Sequence, residues 1–321
     1  SAVALPRLVH AVRPQTVARH DLIGFAAVVA AVVLGFVLTD RFGPLIAKAV
    51  LAPLWSVTDV APPLQGRWTE LLTLMLGIAF TLPLAAFAAR KARFETLLSG
   101  LDAYFRQPQA WSFLGFIVFY KLSDAFALSL MTPFLLKGMA FAPAEVGVVN
   151  KLLGLVLTLV GALLGGALML RLRLARALLV FGLLQMAGNV GFWWLAVHGK
   201  GALPGWVVPA FDFGFVKLAQ PTPVDGGLLL AVASENLASG MGTTAFLAFL
   251  MGLTNQRFTA TQFALLSAFA SVGRVWVGPL AGVLAQTIGW PGFFIVAMFM
   301  ALPSLVWLRV LWKPIAALDP R

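Results

Sequence analysis

Long apolar runs, broken at intervals by short clusters of Arg and Lys, set the pattern of this chain. About 20 apolar residues cross the hydrocarbon core of a bilayer as one α-helix. The pattern predicts eight such spans, at about 22–39, 70–89, 111–136, 146–170, 177–197, 228–253, 260–286 and 291–312. The runs are too long for strands and lack alternation of period two. Residues 40–69 mix Pro44, Pro53, Pro62 and Pro63 with Asp40, Arg41, Lys48, Asp59 and Arg67. That mixture places the stretch at the membrane surface, as a short amphipathic helix. The connector 198–227 is long and rich in Pro and Gly.

Composition agrees. Of 321 residues, 60% are hydrophobic and 11% charged, against about 25% charged in a soluble domain. The mean hydropathy is +0.93. The expected class is an all-α integral membrane protein, a polytopic helix bundle. The net charge of +11 would suggest nucleic acid in a soluble protein. Here the cations sit in short connectors, and no basic stretch interleaves with exposed aromatics, so the expected partner is the lipid bilayer. Basic connectors stay in the cytoplasm. Arg7, Arg13 and Arg19, then Arg90, Lys91, Arg93 and Arg106, then Arg171, Arg173 and Arg176, then Arg257, then Arg309, Lys313 and Arg321 all fall on one side. On the other side Lys137 balances Glu145, and Lys200 and Lys217 balance Asp212 and Asp225. Trp111, Trp193, Trp194, Trp206, Trp290, Trp307 and Trp312 fall near predicted helix ends, where indole rings anchor at the interface.

Enzyme chemistry has little support. There is no cysteine. His10, His20 and His198 lie in loops or at helix ends, and no metal-ligand or nucleophile motif is found. The segment ASGMG at 238–242 lacks a following Lys and sits in a span, so it is no phosphate loop. No metal or organic cofactor is expected.

The informative residues are charges inside spans. Such a charge costs about 2.5–3.5 kcal/mol on insertion scales and persists where it faces protein or a water-filled cavity. Lys121 and Asp124 lie one helical turn apart in the first of the last six spans; Lys151 lies in the second, Glu235 in the fourth and Arg274 in the fifth. These four helices are expected to line a cavity. The third and sixth carry no interior charge and are free to face lipid. Three cations and two carboxylates suit an anionic or zwitterionic solute, and either carboxylate is a candidate for proton uptake. Tyr120, Ser123, Asn150, Gln185, Asn189 and Asn236 are candidate polar helpers. Trp276, beside Arg274, offers a flat face to a sugar ring or simply packs. The bland alternative is that Lys121 and Asp124 only satisfy each other.

Gly147, Gly154, Gly161 and Gly165 recur at seven, seven and four, one helical face suited to close packing, and Gly278 and Gly282 form a second small pair. The opening residues 1–20 start without Met and read as an internal loop, so the chain is expected to be a piece of a longer protein. The predicted division is residues 1–109, a cytoplasmic loop with a helix pair and a basic linker, and residues 110–321, six spans arranged three plus three.

Four blocks carry a resemblance: YKLSDAFALSLMTPFL at 120–135, EVGVVNKLLGL at 145–155, ENLASGMGT at 235–243 and NQRFTATQFALLSAFASVGRVWVGPLAG at 255–282. Occurring in this order, they resemble the C-terminal half of AmpG-type muropeptide permeases of the major facilitator superfamily. The segment GGALMLRLRLARAL at 165–178 is similar to the superfamily's cytoplasmic loop motif. Gly166, Arg171, Arg173 and Arg176 fall on its glycines and arginines, and Leu170 stands where the motif usually has an acid. The resemblance implies a major-facilitator-like six-helix half preceded by an extra helix pair, its N-terminal half missing. It also implies a symporter of the bacterial inner membrane, driven by the proton gradient. The implied cargo is N-acetylglucosamine linked to 1,6-anhydro-N-acetylmuramic acid bearing a peptide, imported for cell-wall recycling and linked to β-lactamase induction. The alternatives are another sugar or drug carrier, a membrane-embedded glycan or lipid-carrier enzyme, and a non-transporting assembly partner.

Overall fold

The computed structural model describes residues 15–58, 60–212, 217–254, 259–275 and 277–319. Seven helical stretches among them are long and apolar enough to cross a membrane. The chain is an all-α polytopic membrane bundle. Helix α1 (Gln15–Trp55) and helix α2 (Pro62–Lys91) pack along each other. Their seam is made of small residues: a Cβ on Gly35 would meet Thr81 at 2.4 Å, and one on Gly77 would meet Thr39 at 2.7 Å. The separate short helix expected within 40–69 is not found: the stretch continues α1 and begins α2. Helix α1 runs through Asp40, Arg41, Pro44 and Lys48 to Trp55, and α2 resumes at Pro62. Charge marks where a helix leaves the hydrocarbon, not where its hydrogen bonding stops. At about 1.5 Å per residue, a helix of this length outruns the bilayer core.

Helix α3 (Glu95–Phe105) occupies part of the basic linker. Its first turn meets α1 through the Thr96 hydroxyl, which donates to Asp21. Its last turn buries Tyr104, whose hydroxyl donates to the Ala110 carbonyl at 3.1 Å. Burial pushes that hydroxyl up to about 12, so it remains a donor at any ordinary pH. Gln262 Nε2 closes the packing by donating to the Gly100 carbonyl at 3.1 Å.

The next span is discontinuous. Helix α4 (Ala110–Tyr120) stops at Lys121, and helix α5 (Leu122–Pro133) resumes beyond it, followed by a π-helical turn at Phe134–Gly138. Helix α6 (Pro143–Gly147), a π-helical turn at Val148–Leu153 and helix α7 (Gly154–Met169) make the following span. Helix α8 (Leu174–His198) and helix α9 (Gly226–Leu253) bracket the long connector. That connector contains two short antiparallel ladders. Strand β1 (Trp206–Val208) pairs with β4 (Thr222–Val224), and β2 (Phe211–Asp212) pairs with β3 (Lys217–Leu218). Helices α10 (Thr259–Val275), α11 (Val277–Phe299), α12 (Leu302–Val310) and α13 (Trp312–Ala317) complete the chain. The break between the last two expected spans falls inside α11, at Gly289 with φ 70°, a backbone setting that favours glycine.

A clasp fastens the connector. Asp225 caps α9, its Oδ1 accepting from the amides of Gly227 and Leu228, and its Oδ2 accepts from the Gly201 amide at 2.7 Å. The Asp225 amide donates to buried Glu145 at 2.8 Å, and Lys200 donates to the same carboxylate at 3.3 Å. Two of the expected interfacial indoles serve packing as well. Trp307 fills the space beside Gly115, and Trp290 lies against Gly138 and Phe134.

Two apolar layers form the core. One gathers Tyr104, Phe116, Leu178, Phe181, Phe246, Phe249 and Leu308; the other gathers Phe126, Phe134, Phe192, Leu228, Val232, Phe293 and Phe294. The layers are separated on α8 by residues 182–191, on α9 by residues 233–240, and on the α4–α5 span by the break itself. The buried polar residues Lys121, Ser123, Asp124, Gln185, Asn189 and Glu235 lie in that gap.

Candidate functional site

The polar layer opens into a crevice of about 540 Å³ lined by Lys121, Asp124, Ala125, Leu128, Ser129, Ser239, Thr243 and Arg274. Its geometry begins at the α4–α5 break, where Lys121 has φ −93° and ψ 0°. Lys121 and Asp124 form a buried pair, Nζ to Oδ2 at 3.2 Å. Lys121 Nζ also donates to Thr243 Oγ1 at 3.1 Å and lies 5.7 Å from the Phe246 ring centroid. Asp124 Oδ2 takes two further donors, Gln185 Nε2 at 2.8 Å and Ser239 Oγ at 3.4 Å. The arrangement thus presents a fixed carboxylate, a fixed ammonium and, across the crevice, an exposed guanidinium on Arg274.

Glu235 is placed differently. It is 1% exposed and stands one turn before Ser239 on α9, outside the crevice lining. It packs against α8 at Gly188, where a Cβ would come within 2.7 Å of Glu235 Oε2. Neither of its carboxylate oxygens has a hydrogen-bond partner among the described residues, and Asn189 Oδ1 likewise has none. Lys151 is exposed on the π-helical turn, so the second expected cavity helix contributes no lining residue. This corrects the four-helix cavity: three of the four reach the crevice. Charge in a span requires polar surroundings but does not say on which side they lie.

The helpers divide in the same way. Tyr120 donates to the Leu178 carbonyl at 3.0 Å and stacks on Phe246, while Ser123 donates to the Ala297 carbonyl at 2.9 Å. Asn236 bridges α9 to α7 by accepting from Thr158 Oγ1 at 3.0 Å. Asn150, beside Lys151, buries an Oδ1 that has no hydrogen-bond partner among the described residues. Trp276 lies outside the described residues. In the loop motif, Arg171, Arg173 and Arg176 are exposed, Gly166 has open space, and Asp319 accepts from the Leu174 amide at 3.0 Å.

Curated relatives share this stretch. The anhydromuropeptide permease of Escherichia coli (strain K12) is 47% identical over 216 residues, 67% of this chain and 39% of that protein. This chain is a homologue of the AmpG-type permeases. A putative transporter AmpG 4 of Rickettsia conorii is 31% identical over 211 residues, 66% of this chain and 45% of its own length. An uncharacterized protein of Haemophilus influenzae is 31% identical over 248 residues, covering 54% of its length. The chain thus spans roughly two fifths to just over half of these relatives. No family model matches it.

Sequence reasoning missed three polar lining residues, Ser129, Ser239 and Thr243. Hydroxyls are common in membrane helices, so residue type alone does not single them out. It also missed Gly242, on which Gln185 rests: a Cβ there would stand 2.4 Å from Gln185 Cδ and Oε1. Gly242→Ala is expected to push the amide off Asp124 and to cost about 1.5–3 kcal/mol, the range for a hydrogen bond to a charged group. A double-mutant cycle with Gln185→Ala, read by thermal unfolding, checks this. The two losses should be strongly non-additive, and simple addition would show that Gly242 acts elsewhere.

Proposed function

We propose that this chain forms one bundle of a proton-coupled importer of anhydromuropeptides in the bacterial inner membrane, supplying cell-wall recycling and so bearing on β-lactamase induction. The active unit on this reading is the full-length protein, with a second bundle of major-facilitator type completing the site. The observation that carries the proposal is the polar layer: charges of both signs between two apolar layers, opening into a crevice within a membrane bundle homologous to permeases. Lys121 and Arg274 suit the carboxylates of a muropeptide, and Asp124 with Ser239 and Thr243 suits its hydroxyl and amine groups. Lys151 and Asn150, outside this crevice, would meet cargo or the second bundle.

Asp124 already holds three donors, whereas Glu235 holds none among the described residues. We therefore assign the coupling proton to Glu235, where a proton takes the place of missing partners. In vesicles carrying the full-length protein, labelled anhydromuropeptide should accumulate only under a proton gradient. Glu235→Gln should retain exchange of labelled for unlabelled cargo and lose gradient-driven accumulation by roughly a hundredfold, the low end of acid–base effects. Intact accumulation in Glu235→Gln would remove Glu235 from the mechanism, and no accumulation by the unmodified protein would remove the cargo assignment.

A further inference from the structure

A second cavity lies at the end of the bundle that carries the basic connectors. It measures about 710 Å³ and is lined by Gln109, Arg309, Val310, Trp312, Lys313 and Pro314. Its lining holds two cations and no carboxylate. Neither Arg309 nor Lys313 lies within ion-pair distance of an acid among the described residues. Both side chains are exposed, so water and salt weaken their repulsion, and an anion entering the cavity is attracted by both.

The surroundings say what kind of anion. On α12, residues Leu302, Val306, Arg309 and Val310 fall within one arc of about 100° at 3.6 residues per turn. Val306 is 66% exposed and Val310 74% exposed, so an aliphatic stripe leads out of the cavity along the membrane-facing side of the helix. Trp312 lines the cavity, and Trp111, two residues after Gln109 on the first turn of α4, is exposed. Indoles at this level mark the interface between hydrocarbon and headgroups. The first turn of α4 carries no acidic residue, and its amides face the same end, where a helix favours negative charge. A soluble phosphate would use the cations and leave the stripe idle. An amphiphile uses both.

We propose that this cavity binds the phosphodiester headgroup of an anionic phospholipid of the cytoplasmic leaflet, with one acyl chain lying along Leu302, Val306 and Val310. The site is separate from the cargo crevice and does not depend on the cargo assignment. Arg309 and Lys313 attract the phosphate by charge, and the Gln109 amide in the same lining is placed for a glycerol hydroxyl.

The test is native mass spectrometry of the full-length protein released from detergent with equal amounts of phosphatidylglycerol and phosphatidylcholine. Phosphatidylglycerol should stay bound in preference. Arg309→Gln with Lys313→Gln should reduce that preference roughly thirty-fold, since each cation at the membrane surface contributes about fivefold. Arg309→Lys alone should keep most of it, which shows that the site tolerates substitution without unfolding. A charge-matched control, Arg90→Gln with Lys91→Gln, should leave the preference unchanged. Equal retention of the two lipids overturns the proposal, as does an equal loss in the control, which would reveal only diffuse attraction. Displacement of the lipid by inorganic phosphate at the same concentration also overturns it, because it would leave a simple anion site.

Discussion

Lys121→Met in the full-length protein is expected to lower stability by about 3 kcal/mol, within the range for breaking a buried ion pair, and to abolish uptake of labelled muropeptide. Both side chains of the pair are under 10% exposed, and the Asp124 carboxylate would keep only its Gln185 and Ser239 donors. The decisive experiment is the double variant, Lys121→Met with Asp124→Leu. Replacing both charges by apolar groups of similar volume is often neutral or stabilising, so thermal unfolding should recover. Uptake should not, because the ammonium and carboxylate that face the crevice are gone. If the double variant transports normally, the pair is a packing device and the site lies elsewhere. If stability fails to recover, the polar layer itself is required for the fold.

The second large effect concerns the crossing of α7 and α9. Gly161 lets α7 approach so closely that a Cβ would stand 2.3 Å from the Leu237 carbonyl oxygen. Gly240 returns the relation, its Cβ position lying 2.3 Å from the Thr158 carbonyl oxygen and 2.9 Å from the Ala162 amide nitrogen. The obstructing atoms are backbone, so neither helix can yield without moving as a whole. Gly161→Val or Gly240→Val should cost about 3 kcal/mol, the upper part of the overpacking range, and should deplete monodisperse protein on extraction from membranes. Gly147→Ala and Gly278→Ala are the matched controls. Both sites have open space, and Ala replaces Gly in a helix at no cost or with a gain of up to about 1 kcal/mol. Fluorescence-detected thermal melts of the four variants separate the two pairs. Equal melting temperatures would show that the close crossing contributes nothing.

The same glycines show how far sequence reaches. Spacings of seven, seven and four placed Gly154, Gly161 and Gly165 on one face, and these three are buried against α9. Gly147 shares the spacing but meets nothing, because it sits at the junction of α6 and a π-helical turn, where the 3.6-residue period no longer holds. The pairing of Lys121 with Asp124 was legible because both charges are local to one helix. The break between α4 and α5 was not, since Lys121 carries neither the ring of proline nor the freedom of glycine. The position of Glu235 was also hidden. Whether a buried carboxylate faces a crevice or a neighbouring helix depends on the rotation of α9, and that rotation is set by contacts from Thr158, Gly161 and Gly188 far away in sequence. The length of α1 was obscured by its charges and prolines, which report immersion depth instead of helix continuity.

The clasp at Asp225 has a consequence for motion. One aspartate fastens the first turn of α9 and the Gly201 amide with its two oxygens, while its own amide is held by Glu145 at the start of the α6 span. Prying these ends apart would break the Gly201 bond to Asp225 and the Asp225 amide bond to buried Glu145, two hydrogen bonds to charged groups at about 1.5–3 kcal/mol each. Thermal fluctuation will seldom meet that cost. Amide protons of Asp225, Gly227 and Leu228 should therefore be among the slowest to exchange with deuterium outside the spans. Any widening of the crevice is then left to the opposite end of the bundle, with the clasped end acting as its hinge.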